Sequence, residues 1–171
     1  MEDLVRVQIS APRQDWAYSL MVKHCFRIAE TWVRFPLGPS IIYMKTSPKI
    51  FGSLAEKIAT DYLKNKGYRI LAKNYISKWA SFDRKEIDII AKKDDIITFF
   101  EVKSLSAQKG FLPEDKVDFK KQRKIIKTAE RFLLEKKISL EEKWQIDVIS
   151  IRIDPDSKKA KIRHLENAIC D

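Results

Sequence analysis

The sequence is poor in the residues that staple or anchor a chain. Its two cysteines, Cys25 and Cys170, lie in opposite end segments without CxxC spacing, which excludes a disulfide framework and a cysteine zinc site. Its two histidines, His24 and His164, are too isolated to suggest a triad or a metal cluster. Lys or Arg interrupts every apolar run well short of the roughly 18 residues that a membrane-spanning helix needs. The patch from Ala17 to Val22 follows Glu2, Asp3 and Asp15 and precedes Lys23 and His24, unlike a signal peptide. These absences predict a soluble, cytoplasmic protein with no membrane partner. No internal repeat or low-complexity tract appears.

What is present is enough for a packed core and a polyanionic ligand. Of 171 residues 44% are hydrophobic, with nine Phe, five Tyr and four Trp, and 34 Lys and Arg against 24 Asp and Glu give a net charge of +10. That length suits one compact domain plus an appendage, and the charge points to nucleic acid or an anionic surface. A membrane-surface role is disfavoured because no basic amphipathic segment is free of the core.

Residues 1–48 read as an N-terminal extension, poorly structured or with a short helix over His24–Trp32 that Pro36, Gly38 and Pro39 bring to an end. Met44 stands just before the first well-patterned segment, leaving two readings of residues 1–43: a functional arm, or an extension from an early start codon. Residues 49–171 read as the main domain. Leu54, Ile58, Ala59, Tyr62 and Leu63 have helical spacing between Ser53 as N-cap and Gly67 as C-cap. A short strand over 68–72 follows, then an irregular polar stretch to Arg84 and β-rich runs over 86–92 and 96–103. A long helix over 115–137 and strands over 144–153 and 160–165 complete an α/β order with a mixed sheet flanked by helices.

The chemistry-bearing residues lie in the two β-rich runs. A turn closing around Asp94 and Asp95 sets Asp88 directly opposite Glu101, with Cβ atoms about 4.5–5.5 Å apart. Two carboxylates so close repel unless a cation or a shared proton intervenes. Mg²⁺ or Mn²⁺ resolves the conflict, since such ions take one or two carboxylates and keep water and phosphate oxygens. By strand alternation Glu86, Asp88 and Ile90 share one face of their strand, while Glu101 and Lys103 share one face of the next. Lys103 is thus placed to orient the attacking water or to neutralise developing charge. The plainer alternative is an ion cluster at a sheet edge; against it, Ile87, Ile89, Ile90, Ile97, Phe99, Phe100 and Val102 make both strands apolar on both faces, where unpaired charge costs most. Glu86 reads equally as a partner of the site or as a strand-end surface acid.

The long helix carries Lys116, Lys120, Arg123, Lys124, Lys127 and Arg131 at intervals of three or four, opposite its apolar stripe. Such a stripe is either a solvated face or a phosphate-binding one, and beside a metal site the second reading is favoured. Lys121 and Gln122 adjoin it. Tyr75, Trp79 and Phe82 either stack on unpaired bases or pin a loop to the core.

From Phe51 to Ile169 the chain resembles the YraN-like family, small proteins predicted to belong to the PD-(D/E)xK nuclease superfamily. The resemblance rests on Gly52-Ser53-Leu54-Ala55-Glu56, Gly67-Tyr68-Arg69-Ile70-Leu71, Asn74-Tyr75, Glu86-Ile87-Asp88-Ile89-Ile90 and Phe100-Glu101-Val102-Lys103. Gly110 with Pro113, Lys121-Gln122-Arg123, Ala129, Asp147-Val148 and His164-Leu165-Glu166-Asn167-Ala168 add to it. It implies a restriction-endonuclease-like αβββαβ core, similar in outline to archaeal Holliday-junction resolvases. In that frame Asp88, Glu101 and Lys103 are the catalytic positions and Glu56 is an additional acid from the first helix, although a cap alone would explain Glu56. Lys85 stands where that family usually has glycine and Leu105 where it has arginine, and the stretch from Ile76 to Lys85 is longer than usual. The reading that combines residues and resemblance is a metal-dependent endonuclease acting on DNA, on branched or repair and recombination intermediates. Its alternative is a nuclease-fold module that grips nucleic acid without cutting. Cutting two strands takes two sites, which a homodimer would supply.

Overall fold

The computed structural model describes residues 27–34, 48–79, 86–106, 119–154, 157 and 159–169. Eight elements follow in chain order: β1 (Arg27–Arg34), α1 (Pro48–Asn65), β2 (Arg69–Ile76), β3 (Glu86–Lys93), β4 (Ile96–Ser106), α2 (Phe119–Glu135), β5 (Trp144–Asp154) and β6 (Lys159–Ile169). One six-stranded sheet holds the six strands in the order β1-β6-β5-β4-β3-β2. Among the described strands only β4 and β5 pair in parallel, and α2 makes the crossover that a parallel pair requires. From α1 to β5 the order is αβββαβ, and the expected mixed α/β architecture is what forms.

Each helix seals one face of the sheet. Ala55, Ile58, Ala59, Tyr62 and Leu63 of α1 pack with Ile89, Ala91, Phe100, Ile149, Ile151 and Ile162. Ile125, Ile126, Ala129, Phe132 and Leu133 of α2 pack on the other face with Ile87, Ile90, Ile97, Phe99 and Ile146. Both stripes repeat at three and four residues because 3.6 residues make a turn. The central strands look apolar throughout because both their faces are covered.

Three local expectations are corrected. Residues 27–34 form a strand, not part of a helix over His24–Trp32; the β-branched and aromatic run Thr31-Trp32-Val33 suits a sheet edge, and β1 pairs along its whole length with β6. Glu30 on β1 faces Lys161 at 2.9 Å and Arg163 at 3.2 Å. Ser53 lies inside α1, which starts at Pro48, a residue preorganised for a first turn. β2 extends to Ile76 because its pairing with β3 continues to Glu86. Gly67 does close α1: at φ 85 it lets its own N–H reach the Lys64 carbonyl and the Tyr68 N–H reach that of Leu63. Cys25, Phe82, Lys85, Gly110, Pro113, Lys116 and Cys170 lie outside the described residues.

Candidate active site

At one end of the sheet β3 leaves β4. Their antiparallel ladder runs from Lys93↔Ile96 to Ile89↔Phe100, the register that sets Asp88 against Glu101. Beyond that pair β3 stays with β2 as far as Ile76↔Glu86, while β4 stays with β5 through Ser106↔Ile153. Asp88 sits at the crotch of the fork. Its Oδ2 accepts the Val102 N–H at 2.6 Å, so a side-chain carboxylate takes a hydrogen bond that a continuing ladder would give to main chain.

The parting has a local cause. Asn74 of β2, between the pairs Lys73↔Ile89 and Tyr75↔Ile87, has φ 50, a conformation that asparagine tolerates better than most residues. On both strands the alternation slips there: Ala72 and Tyr75, and Ile87 and Ile90, three apart, join the same α2-side core. The strict alternation that placed Glu86, Asp88 and Ile90 on one face therefore fails. Glu56 of α1 holds the bend, accepting the Asn74 Nδ2–H at 3.1 Å.

Glu101 lies on the α2 side, 2% exposed. Lys103, two residues along the same face, donates to its Oε1, and Lys121 from the first turns of α2 brings Nζ to 3.5 Å from the same oxygen. Both lysines remain partly open, at 27% and 37%. A buried carboxylate backed by two solvent-reaching ammonium groups is an arrangement that meets an incoming anion with positive charge while keeping a negative group behind it.

The structure thus brings Asp88, Glu101, Lys103 and Lys121 to the fork. Gln122 is half-buried beside Lys121, while Arg123, Lys124 and Lys127 are exposed along α2, to which Lys120 also belongs. Glu56 is tied to Asn74, and Glu86 opens β3 half-buried opposite Ile76. Among the described residues no group of three or more His, Cys, Asp or Glu is arranged to hold a metal ion. The donor set at the fork is two carboxylates of hard oxygen character. That fits a Mg²⁺ or Mn²⁺ ion that completes its shell with water and phosphate oxygens, and does not suit a site built wholly of protein ligands.

A second buried polar cluster was not foreseen. On the α1 side the Asp147 carboxylate accepts His164 Nε2–H at 2.7 Å, Gln145 Nε2–H at 3.0 Å and the Asn167 N–H at 2.8 Å. With that ring proton on Nε2, His164 Nδ1 accepts the Tyr62 hydroxyl at 3.4 Å. Burial, then the charges of Glu166 and Asp147, push the Tyr62 phenol up to about 12. His164 is therefore structural, central in β6 between Asp147 and Tyr62. A lone acid inside the apolar run from Ile146 to Ile151 was the available signal.

The fold and the fork define an α/β protein with an acidic pair and a basic surround at the open end of a mixed sheet. The model of Uncharacterised protein family UPF0102 matches residues 55–151, and the chain belongs to that family, the YraN-like group its motifs resemble. A UPF0102 protein of Alkaliphilus oremlandii is 41% identical over 120 residues, 70% of this chain and 97% of that protein. One from Clostridium botulinum strain 657 is 38% identical over 70% of this chain and 94% of its own length. One from Caldanaerobacter subterraneus subsp. tengcongensis is 37% identical over 125 residues, 72% of this chain and 98% of that protein. No described helix is long and apolar enough to cross a membrane.

Proposed function

We propose that this protein is a metal-dependent endonuclease that hydrolyses phosphodiester bonds in DNA. The observation that carries the reading is the fork: β3 parts from β4 past Ile89↔Phe100, where Asp88 accepts the Val102 N–H beside the buried Glu101, and Lys103 and Lys121 reach Glu101. Asp88 and Glu101 are the groups that would hold Mg²⁺ or Mn²⁺. Bound there, the ion supplies Lewis-acid polarisation of a phosphoryl oxygen and an acidified water. The Val102 N–H fixes Asp88, burial fixes Glu101, and Lys103 holds an ammonium where negative charge develops. The basic face of α2 and the net charge of +10 suit a phosphate backbone. The motif resemblance to PD-(D/E)xK nucleases supports the same assignment and extends it to branched or repair intermediates.

The second reading is a nuclease-fold module that binds DNA without cutting it. It is favoured by the two ammonium groups already placed at Glu101. Incubating the protein with labelled branched, single-stranded and duplex DNA in Mg²⁺, Mn²⁺ or chelator separates the two. Metal-dependent cutting that Asp88→Ala and Glu101→Ala each lower by about a hundredfold or more supports the nuclease. Binding without cleavage under every condition, unchanged by either substitution, supports the module.

A further inference from the structure

The turn after β2 carries a large ring that the fork does not use. Trp79 is 58% exposed, and Ile76 beside it is 46% exposed, yet the backbone under them is firmly tied. The Trp79 N–H donates to Ser77 Oγ at 3.2 Å, Ser77 Oγ–H donates to Glu135 Oε1 at 2.7 Å, and the Lys78 N–H donates to that same oxygen at 3.0 Å. Ser77 is buried, and Glu135 closes α2. An acid there opposes the helix dipole, so what recommends it is the turn it anchors. The result is an indole held out toward water on a rigid mount, an expensive exposure for a side chain of that area.

Helix α2 joins this mount to the fork. Lys121 meets Glu101 near its start and Glu135 meets Ser77 at its end, a span of about 21 Å at roughly 1.5 Å per residue. Lys124 and Arg131 lie between them on one flank of the helix, and Lys78 is exposed next to the tryptophan. Cations along a helix that ends at an exposed aromatic match a strand whose phosphates lie on the helix and whose base reaches the ring.

We propose that Trp79 is a stacking platform for an unpaired nucleobase, so that the ligand of this face is a strand carrying unpaired nucleotides and not a perfect duplex. The proposal rests on the nucleic-acid reading above and adds the substrate class to it. At about 3.4 Å per stacked nucleotide the span from fork to platform holds about six nucleotides. A protein partner would use the patch without regard to strand pairing.

The test is fluorescence anisotropy of the full chain in chelator, with labelled oligothymidylate of twelve nucleotides and a duplex of twelve base pairs. Trp79→Ala is expected to weaken single-strand binding about tenfold, the loss of one stacked base, while duplex binding changes less than twofold and Trp79→Phe recovers most of the loss. Equal losses on both ligands overturn the proposal, and no loss on either overturns it in favour of a protein partner. Independently of any variant, 5-iodouracil in the single strand should photo-crosslink to the peptide holding Trp79; crosslinks only elsewhere overturn the proposal. Chelator removes any dependence on cutting. A protein that discriminates strands through Trp79 yet cleaves nothing in Mg²⁺ defeats the nuclease reading and leaves the platform standing, and cleavage of single strands untouched by Trp79→Ala does the reverse.

Discussion

Two polar clusters sit in one sheet and have opposite construction. Around Asp147, which is fully buried, both carboxylate oxygens are used within the chain by His164, Gln145 and the Asn167 N–H, and the strands that carry them remain paired on both sides of a local register shift. Around Glu101 the sheet parts, and two of the partners that reach it are lysines whose side chains are partly open to water. A closed cluster satisfies its own charges and fixes a core; an open one leaves positive groups facing whatever enters. Buried polar networks are costly when incomplete; at Asp147 the partners are buried with the acid, whereas at the fork two of them are lysines partly open to water.

Reciprocal substitutions break or uphold this contrast, and they carry the largest expected effects. Glu101→Ala should abolish metal-dependent cleavage while the thermal midpoint changes little, because it removes a buried charge from beside two lysines that can reach solvent. Asp147→Ala should cost about 3–5 kcal/mol of stability, since it leaves a buried histidine, an amide and a backbone N–H without their acceptor. Activity per folded molecule should survive it. Calorimetry and a cleavage assay on both variants check the pair; stability lost at Glu101 and spared at Asp147 would reverse the assignment.

The contrast also explains what could be read from the sequence. Register was legible, because a two-residue turn at Asp94-Asp95 between apolar runs leaves one pairing that buries both. So were the apolar stripes of both helices and the Gly67 cap. Illegible were the features made by long-range geometry: Asn74 adopting φ 50 and slipping the alternation on two strands at once, Lys121 arriving at Glu101 across a crossover, and Tyr62 meeting His164 from another element. β1 was misread as helix because its short apolar run fits either period, and the edge of β6 that it covers decides the matter only once the sheet exists.

The departing arm of the fork invites a sharper comparison, of intermediate size. Burial alone would raise the Glu135 carboxyl, but hydrogen bonds from the Ser77 hydroxyl and the Lys78 main chain outweigh it and hold the group below its ordinary value. A depressed carboxylate stabilises the fold at pH values above its unfolded pKa, near 4.3, and that contribution is lost as pH falls through the lower, folded value. Melting curves from pH 7 to pH 3 should therefore show wild type losing its advantage over Glu135→Gln in the acid range. Ser77→Ala, which removes one of the bonds, should cost about 1 kcal/mol at neutral pH. Parallel curves for wild type and Glu135→Gln would detach the β2 arm from the end of α2.

The smallest effect compares the ends of the two helices. Both close with the same pair of reversed hydrogen bonds: Gly67 and Tyr68 reach Lys64 and Leu63, and Lys137 and Ile138 reach Leu134 and Leu133. The residue in the left-handed position is Gly67 at φ 85 after α1 and Lys137 at φ 57 after α2. A side chain there is strained where glycine is not, although glycine loses more freedom on folding. Lys137→Gly should thus stabilise by about 1 kcal/mol, and Gly67→Ala should destabilise by a similar amount, both measured by urea unfolding. Because Lys137 lies beyond the helix end and away from Lys121, the first variant should leave nucleic-acid binding unchanged; a loss of affinity would extend the binding face of α2 past Glu135.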